Sequence, residues 1–190
     1  IDGNIYKTIK IGNQVWMAEN LKTTRYNDGT PIPNVTDNNE WSKLKTGAFC
    51  YYDNDSEYNT IYGKLYNWYA VGTGKLAPKG WHVPSDDEWK TLTTYLGGEE
   101  IAGGKMKSTQ YWQSPNVGAS NSSGFNGLPG ASRTYNKGMY TVFGYYGFFW
   151  SSENCSYSDT YIRMLDSHLS DAYKLAHFKA SGFSVRCIKD

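Results

Sequence analysis

The side chains able to do covalent or metal chemistry are few and scattered. The three cysteines, Cys50, Cys155 and Cys187, form no C-x-x-C pair, so a zinc or redox motif of that kind is excluded. One disulfide plus a free thiol, and three reduced thiols, both fit the count. The three histidines, His82, His168 and His177, show neither H-x-x-x-H spacing nor the H-E-x-x-H pattern of zinc hydrolases. His82 in "GWHVP" reads as a packed histidine met by a backbone carbonyl, and His168 and His177 as surface residues. No G-x-S-x-G elbow supplies a serine nucleophile, and Ser122 and Ser123 in "NSSG" read as a turn. A glycosidase needs two opposed carboxylates. Of Asp87, Glu88 and Glu153, the first two are accounted for by helix capping, which leaves Glu153 unpaired. A hard cation suits "DNDSE" better, because Asp53, Asp55 and Glu57 offer oxygen ligands at alternate positions. An EF-hand would need Gly at position six and Glu at twelve, where this chain has Tyr58 and Lys64. A solvated loop without cofactor is expected there, with calcium as the alternative.

The elements that must position these groups follow from composition and pattern. A chain of 190 residues suits one domain, and 16% aromatics with 20 Gly make it rich in strands and turns. Nineteen basic residues against eighteen acidic ones, without a basic run, leave no electrostatic footprint for nucleic acid. No apolar stretch approaches the ~20 residues of a membrane span. The opening "IDGNIYKTIK" has no initiator Met and no signal-peptide pattern. The chain is therefore read as the C-terminal piece of a longer protein, with residues 1–190 one domain.

Residues 5–17 read as a hairpin about "GN", 22–40 as irregular, and 47–53 as a short strand. Tyr62, Leu65, Tyr66 and Tyr69 fall on one helical face. The strongest helix starts at Ser85, with Glu88 three residues on as a capping box. Trp89, Leu92, Tyr95 and Leu96 form its apolar face, and Gly97 and Gly98 end it. From about residue 104 onward helical signals cease. "SPNVGASNSSGFNGLPGAS" reads as loop, followed by strands at "YTVF", "GFFWSS", "TYIRML" and "FSVRCI". Helices early and strands late predict an α+β fold. Trp150, Ile162, Val185 and Cys187 are the expected buried set.

The stretch "LDSHLSDAYKLAHFKAS" (Leu165–Ser181) mixes nearly every side-chain chemistry. Leu165, Leu169, Ala172, Tyr173, Ala176 and Ala180 step at helical spacing, but no cap box accompanies them. As an exposed surface, its Tyr and Phe would give contact area at low rotamer cost, and its Ser, Asp and His adaptable hydrogen bonds.

In order along the chain come "IGNQVWMAENLKTTRYNDGTPIP", "YGKLYNWYAV", "GWHVPSDDEW", "GFNGLPG", "FWSSEN" and "GFSVRCIKD". Together they closely resemble the Fibrobacter succinogenes major paralogous domain family over essentially the whole chain. The resemblance implies a secreted or surface-exposed domain of Bacteroidetes-like bacteria or their phages. "VPSDDEW", the "WSSE" block and the terminal "GFSVRC" are also similar to formylglycine-generating-enzyme-like domains. That implies a C-type-lectin-like fold: two helices on a twisted, mostly antiparallel sheet, with long loops over one face. It places strand and loop, not helix, at 165–181. Many family members carry Cys where this chain has Ala77, which implies that Cys187 is free or paired with Cys50. The copper-binding cysteine pair of those enzymes has no counterpart, since Cys155 and Cys187 lie far apart. The E-P-N or Q-P-D and W-N-D motifs of calcium-dependent lectins are missing as well.

Some C-type-lectin-like domains are diversified by retroelements, chiefly at Asn codons near the C-terminus. The products cannot be Lys, Glu, Gln, Met or Trp. Asp166, Ser167, His168, Leu169, Asp171 and Tyr173 are of permitted types. So are Leu175, Ala176, His177, Phe178, Ala180 and Ser181, and upstream Tyr145, Tyr146, Phe148, Phe149, Tyr157, Asp159 and Tyr161. These are the candidate ligand-binding residues, while Lys174 and Lys179 would be fixed scaffold. An ordinary variable loop fits the same composition. The function expected is a non-enzymatic module of an adhesin, pilus tip or phage receptor-binding protein, at the bacterial surface or on a virion. Its partner would be a protein or glycan receptor. The alternative is a carbohydrate-active or formylglycine-generating-like enzyme.

Overall fold

The computed structural model describes residues 2–190. The expected hairpin is present. β1 (Thr8–Ile11) and β2 (Gln14–Met17) pair antiparallel with Ile11 opposite Gln14, and Gly12 takes the positive φ of 61° that so tight a turn requires. The polar segment after it is irregular until Asp37, whose carboxylate accepts the Glu40 N–H at 2.8 Å and starts α1 (Asn38–Ser42). β3 (Phe49–Cys50) follows.

The helix expected over Tyr62, Leu65, Tyr66 and Tyr69 does not form. α2 (Tyr58–Tyr62) stops at Gly63, which has a φ of 72°. A Cβ there would stand 2.9 Å from the Leu21 carbonyl oxygen. Leu65–Tyr66 is instead β4, paired antiparallel with β3. Asn67 then caps α3 (Trp68–Val71) by accepting the Ala70 N–H. Tyr62, Leu65 and Tyr66 are buried as the spacing implies, but from two separate elements, α2 and β4.

After β5 (Trp81–His82) comes α4 (Asp86–Tyr95) with its capping box complete. Ser85 Oγ accepts the Glu88 N–H, and the Glu88 carboxylate accepts the Ser85 N–H at 2.8 Å. Trp89, Leu92 and Leu96 are buried, but Tyr95 is 65% exposed; its ring lies over Gly12. α5 (Glu99–Met106) was not expected, because Gly103 and Gly104 weaken the helical signal. Their reason is contact. A Cβ on Gly103 would sit 1.9 Å from the Asp171 carbonyl oxygen, and one on Gly104 2.6 Å from that of Gly118.

The second half holds β6 (Ser132–Arg133), β7 (Tyr140–Thr141), β8 (Tyr146–Asn154), β9 (Asp159–Asp166), β10 (Ala172–Phe178) and β11 (Ile188–Lys189). The stretch at 165–181 is thus the end of β9, a turn and β10, with Ala172 opposite Leu165 and Phe178 opposite Asp159. The sheets run β1-β2-β11-β5 and β10-β9-β8, beside the small pairs β3-β4 and β6-β7. Among the described residues every strand pairing is antiparallel, so the architecture is α+β, with five short α-helices there where two were expected.

Strand alternation sends successive β8 and β9 residues to opposite sides. Trp150 and Ile162 enter one core with Tyr66, Phe183, Val185 and Cys187. Phe149 and Leu165 enter a second with Trp16, Trp89, Leu92 and Phe125. All four residues of the expected buried set are fully buried. The three cysteines are free, with Cys50 and Cys187 buried and Cys155 exposed. Ala77 lies in the same core as Cys187, while Cys50 belongs to another cluster.

Candidate ligand-binding face

Three strands and a loop build a concavity that carries four of the predicted residues. On one side of β8 and β9, Tyr146 faces Asp166 and Phe148 faces Met164 across the ladder. The rings of Tyr146 and Phe148 lie 5.8 Å apart at 20°, and Phe148 and Phe183 4.9 Å apart at 30°, a row of nearly parallel faces. His177 stands edge-on to Phe183 at 4.8 Å. The segment from Ser132 to Val142 rises opposite and closes a cleft of about 650 Å³. Of the candidate residues, Tyr146, Phe148, Asp166 and His177 line it.

A second cleft of about 370 Å³ collects Tyr157, Phe178 and Ala180 together with Trp68, Tyr69 and Lys45. Tyr135 lines both clefts and stacks on Phe178 at 3.8 Å, forming the ridge between them. Tyr157 is 97% exposed at its rim. Thr134, Tyr135 and Asn136 were missed from the sequence. Their Tyr/Asn composition between two short strands matches that of a binding loop.

The remaining candidates divide by place. Tyr145 and His168 stack in parallel at the exposed turn, with Leu169 beside them. Tyr173 and Leu175 share His177's side of β10 by alternation. Asp171 lies against the Tyr173 hydroxyl and raises its pKa. Asp159 accepts the hydroxyls of Ser156 and Ser158, at 3.1 and 2.7 Å. Tyr161 and Ala176 are cross-strand partners on the opposite side of the sheet. Phe149, Ser167 and Ser181 are fully buried and inaccessible to a ligand. Phe149 packs on Trp89 and Phe125, and the two serines bond to His168 and His177.

The loops of this face are held by buried cations that bond to backbone carbonyls. Lys107, fully buried, donates to the carbonyls of Val117, Asp166 and Leu169 at 2.8, 2.7 and 2.7 Å. Lys179 donates to those of Ser156 and Tyr157 and lies over the Trp68 ring. Arg133, also fully buried, donates to the carbonyls of Val35, Thr36 and Gly138. A buried charge is costly unless its donors are met, and here they are met by backbone carbonyls, joined at Arg133 by Asn38 Oδ1. Lys174 is different: its ammonium lies 2.6 Å from Asp86 and over the Tyr161 ring. Asp86 also meets buried Arg163 at 2.7 Å. Burial raises the Asp86 pKa, but these two cations outweigh it and leave it lowered.

The titratable groups elsewhere are also engaged. His82 is not satisfied by a backbone carbonyl. Its Nδ1 meets Asp190 and its Nε2 meets Glu88, both at 2.7 Å. Burial opposes the imidazolium there, but the two carboxylates outweigh it and raise the pKa. Glu88 is thereby committed to the capping box and to His82. His177 is pushed the other way by burial, against a smaller opposing effect of Asp159. Its Nδ1 accepts the Phe178 N–H at 3.0 Å. In the calcium candidate, Asp55 accepts the Glu57 N–H at 2.9 Å and closes a turn, and Asp53 sits at a positive φ of 51°. Among the described residues, no group of three or more His, Cys, Asp or Glu is arranged to hold a metal ion. No helix among them is long and apolar enough to cross a membrane.

A comparison with family models matches residues 9–189 to the one described as the Fibrobacter succinogenes major domain. No curated protein and no solved structure matches the chain.

Proposed function

The chain belongs to the Fibrobacter succinogenes major domain family, and from that premise we propose that it is a non-enzymatic ligand-binding module. We read its fold as C-type-lectin-like. We place it at a bacterial surface or on a phage virion, as the binding end of an adhesin, pilus tip or receptor-binding protein. The observation that carries this reading is the aromatic cleft between β8–β10 and the 132–142 segment. Its walls stand on a sheet packed on both sides, and its loops are fixed by cation–carbonyl bonds. Binding function sits on loops carried by a rigid scaffold. Lys179 and Lys107 hold 156–158 and 166–171 through backbone carbonyls, which leaves the exposed side chains of those segments free to differ.

That arrangement also favours diversification by a retroelement. Lys174 and Lys179, the two residues of 165–181 whose types are excluded from variation, both make structural bonds. The exposed candidates, rather than buried Phe149, Ser167 and Ser181, would be the varied ones. The partner is a protein or glycan on a cell surface. A glycan and protein binding screen tests the module, using the chain and a variant with Tyr173, His177 and Phe178 changed to Ala. Loss of a wild-type ligand in the variant supports the reading, and undiminished binding removes those residues from the site. The coding DNA tests diversification: the exposed positions in 145–181 should have codons ending in C or T and a near-identical template nearby. Random third bases without a template would sink it.

A further inference from the structure

We infer that the larger cleft recognises a basic side chain of a partner protein, arginine above lysine, with its cation on Asp166 and its stem along Tyr146, Phe148 and Met164. The inference rests on the binding-face reading and gives that face a ligand chemistry. Asp166 is only 7% exposed, yet it lines the cleft. Its Oδ1 accepts the His168 N–H at 2.8 Å and lies 3.3 Å from His168 Nδ1. Among the described residues Oδ2 accepts no hydrogen bond, and no Lys or Arg forms an ion pair with this carboxylate. A mostly buried carboxylate whose second oxygen still meets solvent and is uncommitted is best complemented by a cation, which makes the stronger, charge-assisted bond.

The two nearby cations are committed elsewhere. Lys107 donates to three carbonyls, one of them Asp166's own. Arg133 lines the cleft, but its donors go to three carbonyls and to Asn38 Oδ1. The rest of the cleft suits the same ligand. Ring faces carry the negative side of the aromatic quadrupole and attract cations. Because Tyr146, Phe148 and Phe183 present nearly parallel rings, they suit the flat guanidinium better than the compact, strongly hydrated ammonium of lysine. Asp166 stands directly across the ladder from Tyr146, so the carboxylate terminates the row of rings. A glycan would use the rings and the acceptor but would leave the charge uncomplemented.

The test is an amide NMR titration of the chain with acetyl-Gly-Arg-Gly-amide, its isosteric citrulline analogue and a panel of methyl glycosides. The arginine peptide is expected to shift the amides of Tyr146, Phe148, Met164 and Asp166. Citrulline should bind about tenfold more weakly, the loss of one charge-assisted contact. Asp166→Asn, which keeps the acceptor for His168, should weaken arginine binding by a similar factor. Equal affinity for citrulline overturns the inference on wild-type protein alone, even if the variant fails to fold. Methyl glycosides shifting the cleft amides in place of the arginine peptide overturn it too, but leave the binding face standing. If every ligand from the binding screen shifts amides only outside β8–β10 and 132–142, the binding-face reading falls as well.

Discussion

Replacing Lys107 by Met should destabilise the chain by about 3 kcal/mol and loosen the 166–171 turn. Met keeps most of the stem beside Trp112 but removes the ammonium, and with it three bonds to the carbonyls of Val117, Asp166 and Leu169. Losing the donor leaves three buried carbonyls unmet at about 2 kcal/mol each, so about 6 kcal/mol is lost. Against this stands the burial of the ammonium, which drives its pKa from 10.5 down to about 8 despite the nearby Asp166. Relief of that desolvation returns about 3 kcal/mol. The net loss should lower Tm by roughly 6–12 °C for a chain of this size. Urea unfolding gives the stability, and amide exchange across 166–171 gives the local effect. The control is Leu169→Ser on the same turn. Its carbonyl is held by Lys107, but its side chain is 41% exposed, so the change should stay within about 0.5 kcal/mol. The reasoning fails if Lys107→Met costs under about 1 kcal/mol, or if Leu169→Ser costs as much.

Gly103→Ala should destabilise by more than about 2 kcal/mol in the same unfolding assay. The new Cβ would collide with the Asp171 backbone, which outweighs the ~1 kcal/mol gain in helix propensity; a stabilised variant would refute the contact. NMR titration should find His82 above and His177 below the ordinary value of 6.5, as their surroundings dictate. The sign of each linkage follows. His82 supports folding fully below pH 6.5 and loses that support as pH rises through its raised pKa. His177 disfavours the folded state as pH falls from 6.5 through its lowered one. Asp190→Asn should bring the His82 titration down, and an unmoved His82 would remove Asp190 as a cause. Alkylation of the native chain should label Cys155 quickly. Cys50 and Cys187, whose thiols burial pushes up to about 11 and about 12, should react only on unfolding. Rapid labelling of either would contradict their burial.

Signals that act within a few residues were legible in the sequence. Ser85 and Glu88 announce α4 because each satisfies the other's backbone N–H across one turn, and Gly12-Asn13 announces the hairpin because positive φ is a local demand. Trp150 and Ile162 follow from strand alternation. What was not legible depends on distant partners. Gly103 and Gly104 argue against a helix until Asp171 and Gly118 are seen lying against them. Tyr62 to Tyr69 match a helical period, but Gly63 and Asn67 cut that run and β3 takes its middle. In the cleft, Tyr146, Phe148, Asp166 and His177 belong to the stretches that the sequence singles out for their chemical variety near the last strands. Phe149, Ser167 and Ser181 had the same permitted types but point inward. Tyr135 and the anchors Lys107 and Arg133 lie outside that stretch, and their roles exist only in three dimensions.

The most direct test of the central claim is hydrogen exchange of the chain, free and bound to the tightest ligand from the binding screen. The account predicts protection concentrated at 132–148 and 164–180, with α4 and the β1–β2 hairpin unchanged. Protection confined to 52–62, or to the surface around His82, with β8–β10 unaffected, would contradict it.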